Sequence, residues 1–320
     1  MSNQAYEIVL SPSGRSFMVE ADETILEAAL RNGHTISYQC ANGICGDCRA
    51  RIIEGSVADH RPYDYVFKGE ERQQPMILMC RALPASDMVI EIREATSVDD
   101  IPQQEVLATV SHLTTLHEGV VELRLRTPRS RPLRFMAGQQ VTLHIDGCAP
   151  IEKPIASCPC NGRELLFHFF ESDKEAYGKL GSQKSIRVVG PSGNFVLQQP
   201  VGSRLVFIAF EQGFAPVRSL IEYAMSMEIN TPIELLWLAR NHDGHYMENL
   251  CRSWKDAITN FDFKLFAIET NASLVSLLEP HLADVEGADV YIAAPVSVID
   301  AMAAVVGDRA GRSISLAQND

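Results

Sequence analysis

The sequence predicts an α+β multidomain chain: a small mixed domain, then an antiparallel β-barrel, then an α/β doubly wound domain. Three observations lead there. A cysteine loop with close spacing sits inside a short mixed pattern at the N-terminal end. The middle third is a series of short alternating strands separated by turn residues, as barrels are. From residue 200 onward apolar strands alternate with helical segments, the pattern of a parallel sheet covered on both faces.

The first domain spans residues 1–95. Tyr6–Leu10 and Ser16–Val19 read as a hairpin around Ser13 and Gly14. Thr24–Arg31 reads as a helix with Ile25, Ala28 and Ala29 on one face and Gly33 as its stop. Ala50–Ile53 and Met88–Ile92 read as strands. A polar, proline-bearing stretch at 96–104 reads as a linker.

The barrel domain spans 105–199, with strands expected at Val106–Val110, Val120–Leu125, Gln140–Ile145, Leu165–Phe169 and Ser185–Val189. The α/β domain spans 200–320. Its strands are expected at Leu205–Phe210, Ile233–Leu238, Phe263–Ile268 and Val290–Ala293. Its helices are expected at Pro216–Ser226, Tyr246–Asp256, Leu274–Leu282 and Val298–Val305.

The chain has 320 residues and a formal net charge of −13. No basic block or stripe appears, which argues against nucleic-acid binding. An acidic surface steers towards basic partners, and it serves equally to keep a protein in solution. The N-terminal residues Met1–Glu7 are polar, and the longest apolar stretch, Val290–Val306, is broken by Asp300. A cytoplasmic protein with no membrane insertion is expected.

Cys40, Cys45 and Cys48 form a C-x4-C-x2-C run, and Cys80 follows about thirty residues later. This is the plant-type spacing for a [2Fe–2S] cluster. Soft thiolates suit iron–sulfide chemistry. Zinc usually takes two short C-x2-C-like pairs, whereas here three cysteines share one loop. Gly43 and Gly46 lie in the loop, where backbone without a Cβ can approach the cluster and aim N–H groups at its sulfurs. Cys148, Cys158, Cys160 and Cys251 are expected to be inert small hydrophobes, with Cys158-Pro159-Cys160 only a weak redox signal. His242-Asp243-Gly244-His245 reads as a polar turn rather than a metal site.

Beyond the cysteines, three segments carry a resemblance: Phe135-Met136-Ala137-Gly138-Gln139, Gly190-Pro191-Ser192-Gly193-Asn194-Phe195 and Gly213-Phe214-Ala215-Pro216. With the domain order, they make the chain resemble the ferredoxin–NAD(P)H reductase superfamily. In particular it resembles the oxygenase reductases with an N-terminal ferredoxin and the CDP-6-deoxyglucoseen reductase-like proteins. The resemblance implies a β-grasp ferredoxin domain, an FAD-binding-like barrel and an NAD(P)-binding-like α/β domain. It also implies hydride transfer from NAD(P)H to FAD, single electrons leaving through the cluster, and an oxygenase or other metalloenzyme as partner.

The sequence departs from that pattern at the cofactor contacts. Where the flavin motif has arginine, tyrosine and serine, this chain has Ile151, Lys153 and Pro154. The segment after Phe170 lacks the pyrophosphate-binding G-x-x-S/T and carries Glu171, Asp173 and Glu175. The dinucleotide loop reads Phe210-Glu211-Gln212 where two glycines and a threonine belong, and Ala293-Ala294-Pro295 replaces C-G-P. Arg240 alone matches a basic position that contacts the cofactor in the family.

These departures predict an iron–sulfur electron-transfer protein that has lost FAD and NAD(P)H binding and is loaded by a separate reductase. The alternatives are an NAD(P)H-dependent FAD/[2Fe–2S] oxidoreductase with divergent contacts, and a non-catalytic ligand-binding or redox-sensing module.

Overall fold

A computed structural model describes the chain except residues 1–4, 21, 33, 35, 37, 39, 93–96, 129–131, 162, 241–243, 269–272, 283–284, 308–309 and 319–320. Gly33, His242 and Asp243, and the start of the expected linker, lie outside the described residues. The chain divides into two compact units. Unit 1 is 1–106 with 127–136 and 159–163; unit 2 is 107–126, 137–158 and 164–320.

Unit 1 is built on a five-stranded mixed sheet. Its strands are β1 (Tyr6–Ser11), β2 (Ser16–Val19), β3 (Arg49–Glu54), β5 (Met76–Leu78) and β7 (Met88–Ile92), ordered β2-β1-β7-β3-β5. β1 and β7 run parallel, and every other pairing in this sheet is antiparallel. β4 (Val57–His60) and β6 (Ala82–Pro84) form a separate ribbon.

One helix, α1 (Ile25–Arg31), starts at a reciprocal capping box: Thr24 Oγ1 accepts from the Glu27 N–H while Glu27 accepts from the Thr24 N–H. Asn32 caps its other end, its side-chain amide donating to the Ala28 carbonyl at 2.8 Å. Ile25, Leu26, Ala28 and Ala29 are buried in one core with Ile8, Leu10 and Ile90. The chain then enters the cysteine loop and re-enters the sheet at β3.

Unit 2 holds two sheets. The first is a nearly closed antiparallel barrel sheet of β8 (Gln104–His117), β9 (Val120–Arg126), β10 (Gln140–His144), β11 (Ile151–Pro154), β12 (Glu164–Phe170) and β13 (Ser185–Ser192), ordered β11-β10-β13-β8-β9-β12. A short helix, α2 (Glu175–Lys179), follows β12.

The second sheet contains β14 (Leu205–Phe210), β15 (Ile233–Ala239), β16 (Phe261–Ala267), β17 (Asp289–Pro295) and β18 (Arg312–Gln318), all parallel, ordered β16-β15-β14-β17-β18. Its connecting helices are α3 (Phe214–Ser226), α4 (Glu248–Ala257), α5 (Ser273–Leu278) and α6 (Val296–Val306). β14 and β15 are buried along their whole length, as central parallel strands are. The strand order reverses beside β14, so its C-terminal end opens on the switch point where doubly wound sheets take ligands.

Candidate metal centre

The cysteine loop brings its sulfurs into two close pairs. Cys48 and Cys80 are buried with their sulfurs 3.2 Å apart. Cys40 and Cys45, both half-buried, hydrogen-bond to each other. Among the described residues no three His, Cys, Asp or Glu side chains close on one point as a mononuclear site requires. Two sulfur pairs suit a binuclear group with two irons.

The loop backbone is already turned towards the sulfurs. The N–H groups of Ile44 and Cys45 donate to Cys40 Sγ at 3.4 and 3.3 Å, and that of Asp47 donates to Cys45 Sγ at 3.4 Å. Gly43 donates its N–H to Cys80. Burial raises the Cys40 pKa, but the N–H groups of Cys45, Asn42 and Ile44 outweigh it and bring the thiol down to about 7. Burial pushes Cys45 up. The Cys48 thiol is pushed up first by its hydrogen bond with Cys80 and then by burial, while Cys80 is lowered by the same bond. Thiolate donors and N–H groups aimed at sulfur fit an iron–sulfur cluster, which gives and accepts one electron at a time.

Gly43 and Gly46 take φ of +83° and +78°. A Cβ on Gly43 would meet Tyr63 Cβ at 2.5 Å, and one on Gly46 would overlap the Tyr65 ring. Tyr63, Tyr65 and Phe67 form an aromatic row beneath the loop, with edge-on contacts at 6.4 and 5.2 Å. Arg49 fixes Tyr65 by donating to its hydroxyl at 2.6 Å, and Glu71 pairs with Arg49 at 3.2 Å. Sequence reasoning passed over this row. Its one visible signal is the alternation Tyr63, Tyr65, Phe67 against exposed Pro62, Asp64, Val66.

The segments expected to contact flavin and dinucleotide lie in unit 2. Lys153 is buried on β11 and pairs with Asp173 at 2.6 Å. Its ammonium also lies 4.9 Å from the Phe169 ring centre. Burial lowers the Lys153 pKa and the Asp173 charge opposes that. Asp173 accepts a second bond, from the Phe170 N–H at 2.8 Å.

At the end of β14, Glu211 takes φ +44° and accepts from the Arg240 backbone and guanidinium at 3.0 and 3.2 Å. Gly213 is held against the Ala293 carbonyl so closely that no Cβ fits. Phe214 stacks on Trp237 at 3.9 Å. Arg240, the matched basic position, is therefore paired within the chain. The side chains at these positions do not supply the arginine fork, the stacking ring or the open glycine loop of the family motifs.

A buried polar network also went unseen in the sequence. Glu122 on β9 and His168 on β12 are cross-strand partners. Arg218 on α3 donates to Glu122 at 2.9 Å and to Glu222 at 2.8 Å. Burial raises the Glu122 pKa, but the His168 hydrogen bond and the Arg218 charge overcome it and hold the carboxyl at about 2. Burial keeps His168 neutral and pushes the Tyr246 hydroxyl well up, so Tyr246 donates to His168 Nδ1 at 2.9 Å. Cys158 and Cys160, expected as inert thiols, are disulfide-bonded. Cys251 is a buried free thiol, pushed up to about 12 by burial.

Comparison with known proteins bears on both units. Residues 8–85 match the 2Fe-2S iron-sulfur cluster binding domain family. The chain is 30% identical over 234 residues to the ferredoxin–NAD(+) reductase component of the alkene monooxygenase system of Xanthobacter autotrophicus, covering 69% of each chain. It is 27% identical over 235 residues to the CDP-6-deoxy-L-threo-D-glycero-4-hexulose-3-dehydrase reductase of Yersinia pestis, covering 72% of this chain and 70% of that one. Among solved structures, a cytochrome P450 reductase of Amycolatopsis shares the fold with a TM-score of 0.58 at 21% identity, covering 98% of this chain and 100% of that one. The cluster is thus the redox group that the N-terminal domain family carries, and no described helix is long and apolar enough to cross a membrane. With the cysteine spacing, the mixed sheet, the barrel and the parallel sheet in one order, the chain belongs to the ferredoxin–NAD(P)H reductase superfamily, in the group with an N-terminal plant-type [2Fe–2S] ferredoxin domain.

Proposed function

We propose that the protein is the reductase component of an oxygenase-type system, passing single electrons through a [2Fe–2S] cluster to a partner metalloenzyme. Cys40 and Cys45 hold one iron, and Cys48 and Cys80 the other. The observation that carries this is the pairing of four sulfurs under converging N–H groups. The domain division 1–95, 105–199 and 200–320, with a linker at 96–104, belongs to the same reading.

Kinship supports NAD(P)H as the electron source; a flavin, were one held in unit 2, would supply the division of a hydride into single electrons. The alkene monooxygenase relative is a ferredoxin–NAD(+) reductase component. Kinship favours this route over the expectation that both cofactors have been lost. The Yersinia relative serves a sugar dehydrase, so an acceptor other than an oxygenase is also within the family's range.

A second reading, in which a separate reductase loads the cluster, is favoured by a specific observation. Lys153 is ion-paired to Asp173, and Arg240 to Glu211, at the positions the motifs reserve for cofactors. Both readings are tested on anaerobically purified protein by assaying iron, sulfide and released flavin, then adding NADH. Stoichiometric flavin and bleaching of the cluster by NADH alone support the first. Iron and sulfide without flavin, and bleaching only after a separate ferredoxin reductase is added, support the second. Absence of iron and sulfide defeats both.

A further inference from the structure

Unit 1 holds a half-open cavity of about 710 Å³. Small-molecule sites span roughly 300–1,000 Å³. Cys40 and Cys80 stand in its wall, whereas Cys45 and Cys48 do not, so the space extends beyond the one the four sulfurs share. Leu26 and Ile36 from the α1 side and Leu133 and Phe135 from the facing loop make much of it apolar.

Its charge runs against that of the chain. Arg31, Arg61, Arg134 and Arg163 line it, with Glu27 the one acid among its described lining residues, in a protein of net charge −13. Arg31 is neutralised by Glu23 at 2.8 Å and Arg61 by Glu27 at 3.4 Å. Arg163 donates to the Thr127 carbonyl at 3.0 Å.

Arg134 differs. Its guanidinium forms no ion pair or hydrogen bond with the described residues, where Asp47 and Cys45 act on it only through their charge, and it lies 5.7 Å from the centre of the buried Tyr38 ring. Burial lowers its pKa, against the opposing charges of Tyr38, Asp47 and Cys45. A half-buried cation with no direct ion-pair partner is costly, and an anion brought by a ligand relieves that cost.

We propose that this cavity binds an aromatic organic anion, its rings against Leu133, Phe135 and Tyr38 and its charged group on Arg134. Such an occupant sits beside Cys40 and Cys80, two of the four cluster cysteines. Its negative charge makes each added electron less favourable, so binding shifts the cluster potential downward. That coupling rests on the cluster reading; the binding itself does not.

The test is calorimetric titration of the cluster-loaded protein with 1-naphthyl phosphate, and with neutral 1-naphthol as the control. Saturable one-to-one binding of the phosphate is expected, about tenfold or more tighter than the naphthol, the scale of one charge-assisted contact. Arg134→Gln should remove that preference. Leu133→Trp, which fills the space and keeps Arg134, should weaken both ligands.

A visible circular dichroism change in the cluster bands on saturation is the second expected readout. No saturable binding, equal affinity for phosphate and naphthol, or unchanged phosphate binding by Arg134→Gln overturns the proposal. An Arg134→Gln potential shift with no phosphate binding to the wild type would assign Arg134 to the cluster alone and overturn it too. Protein purified without iron or sulfide would sink the cluster reading and leave the binding result standing.

Discussion

Gly46 and Gly14 both take left-handed backbone, at φ +78° and +73°, yet their surroundings differ. Around Gly14 nothing lies within 4 Å of an added methyl, whereas at Gly46 that methyl overlaps the Tyr65 ring. Gly14→Ala should therefore cost only the backbone penalty, about 1–2 kcal/mol. Gly46→Ala must also push Tyr65 away from Arg49. The expected outcome is full cluster content in Gly14→Ala and clear loss of it in Gly46→Ala, read from iron and visible absorbance per protein chain and from the urea midpoint of each variant. Gly14 was visible in the sequence as a turn residue and Gly46 as a cluster-loop residue that lets the backbone approach the sulfurs. The reason Gly46 cannot change was not, because it lies in a ring nineteen residues away.

Lys153 makes the same point for a charge. Its burial beside Asp173 means that Asp173→Asn leaves an unpaired ammonium in an apolar setting, a loss of about 3–5 kcal/mol of the kind seen when one partner of a buried pair is removed. Replacing both, Lys153→Met with Asp173→Asn, should recover most of that stability in a thermal or urea melt. If the double variant is as unstable as the single, the Lys153–Asp173 pair is not what the loss reports.

Between elements, the Glu122–Arg218–His168 network ties β9 and β12 to α3. Glu122 titrates at about 2 in the folded chain against a usual 4.5. Because the folded value lies below the unfolded one, the contribution is fully present above pH 4.5 and fades as pH falls towards 2. It is on the order of 3 kcal/mol at neutral pH. Urea melts from pH 7 to pH 3 should show the wild type losing stability below pH 4.5. Glu122→Gln should start lower and fall less steeply over that window. Parallel slopes would mean the carboxyl is not held down by its neighbours.

Legibility at this scale followed burial. β14, β15 and β17 were readable because two-sided burial demands unbroken apolar runs such as Leu205–Phe210. β18 was not expected: it is an edge strand whose residues alternate between exposed and half-buried, so no apolar run marks it. β8 continues to His117 through the largely exposed Ser111–Thr115, held by pairing with β9 rather than by its own composition. The α1 helix was readable from its one apolar face, but its capping box was not read. Thr24 and Glu27 stand three residues apart, and local chemistry alone sets the helix start.

At the scale of the whole molecule the net charge of −13 has a kinetic consequence. Long-range fields act over the Debye length, about 30 Å at 0.01 M salt and about 8 Å at 0.15 M. A basic acceptor is drawn to an acidic donor at low salt and loses that attraction as salt rises, while a negatively charged acceptor is repelled and gains. The reduced cluster, generated with dithionite so that no flavin route is involved, can be mixed with either kind. Reoxidation by cytochrome c, a basic haem protein, should slow several-fold between about 0.01 and 0.15 M salt. Reoxidation by ferricyanide, a small trianion, should accelerate over the same range. Opposite signs would show that the acidic surface steers electron acceptors. Two flat profiles would leave that charge to solubility alone, and partner choice would then rest on contacts around the exposed Ile44 of the cluster loop rather than on the field of the chain.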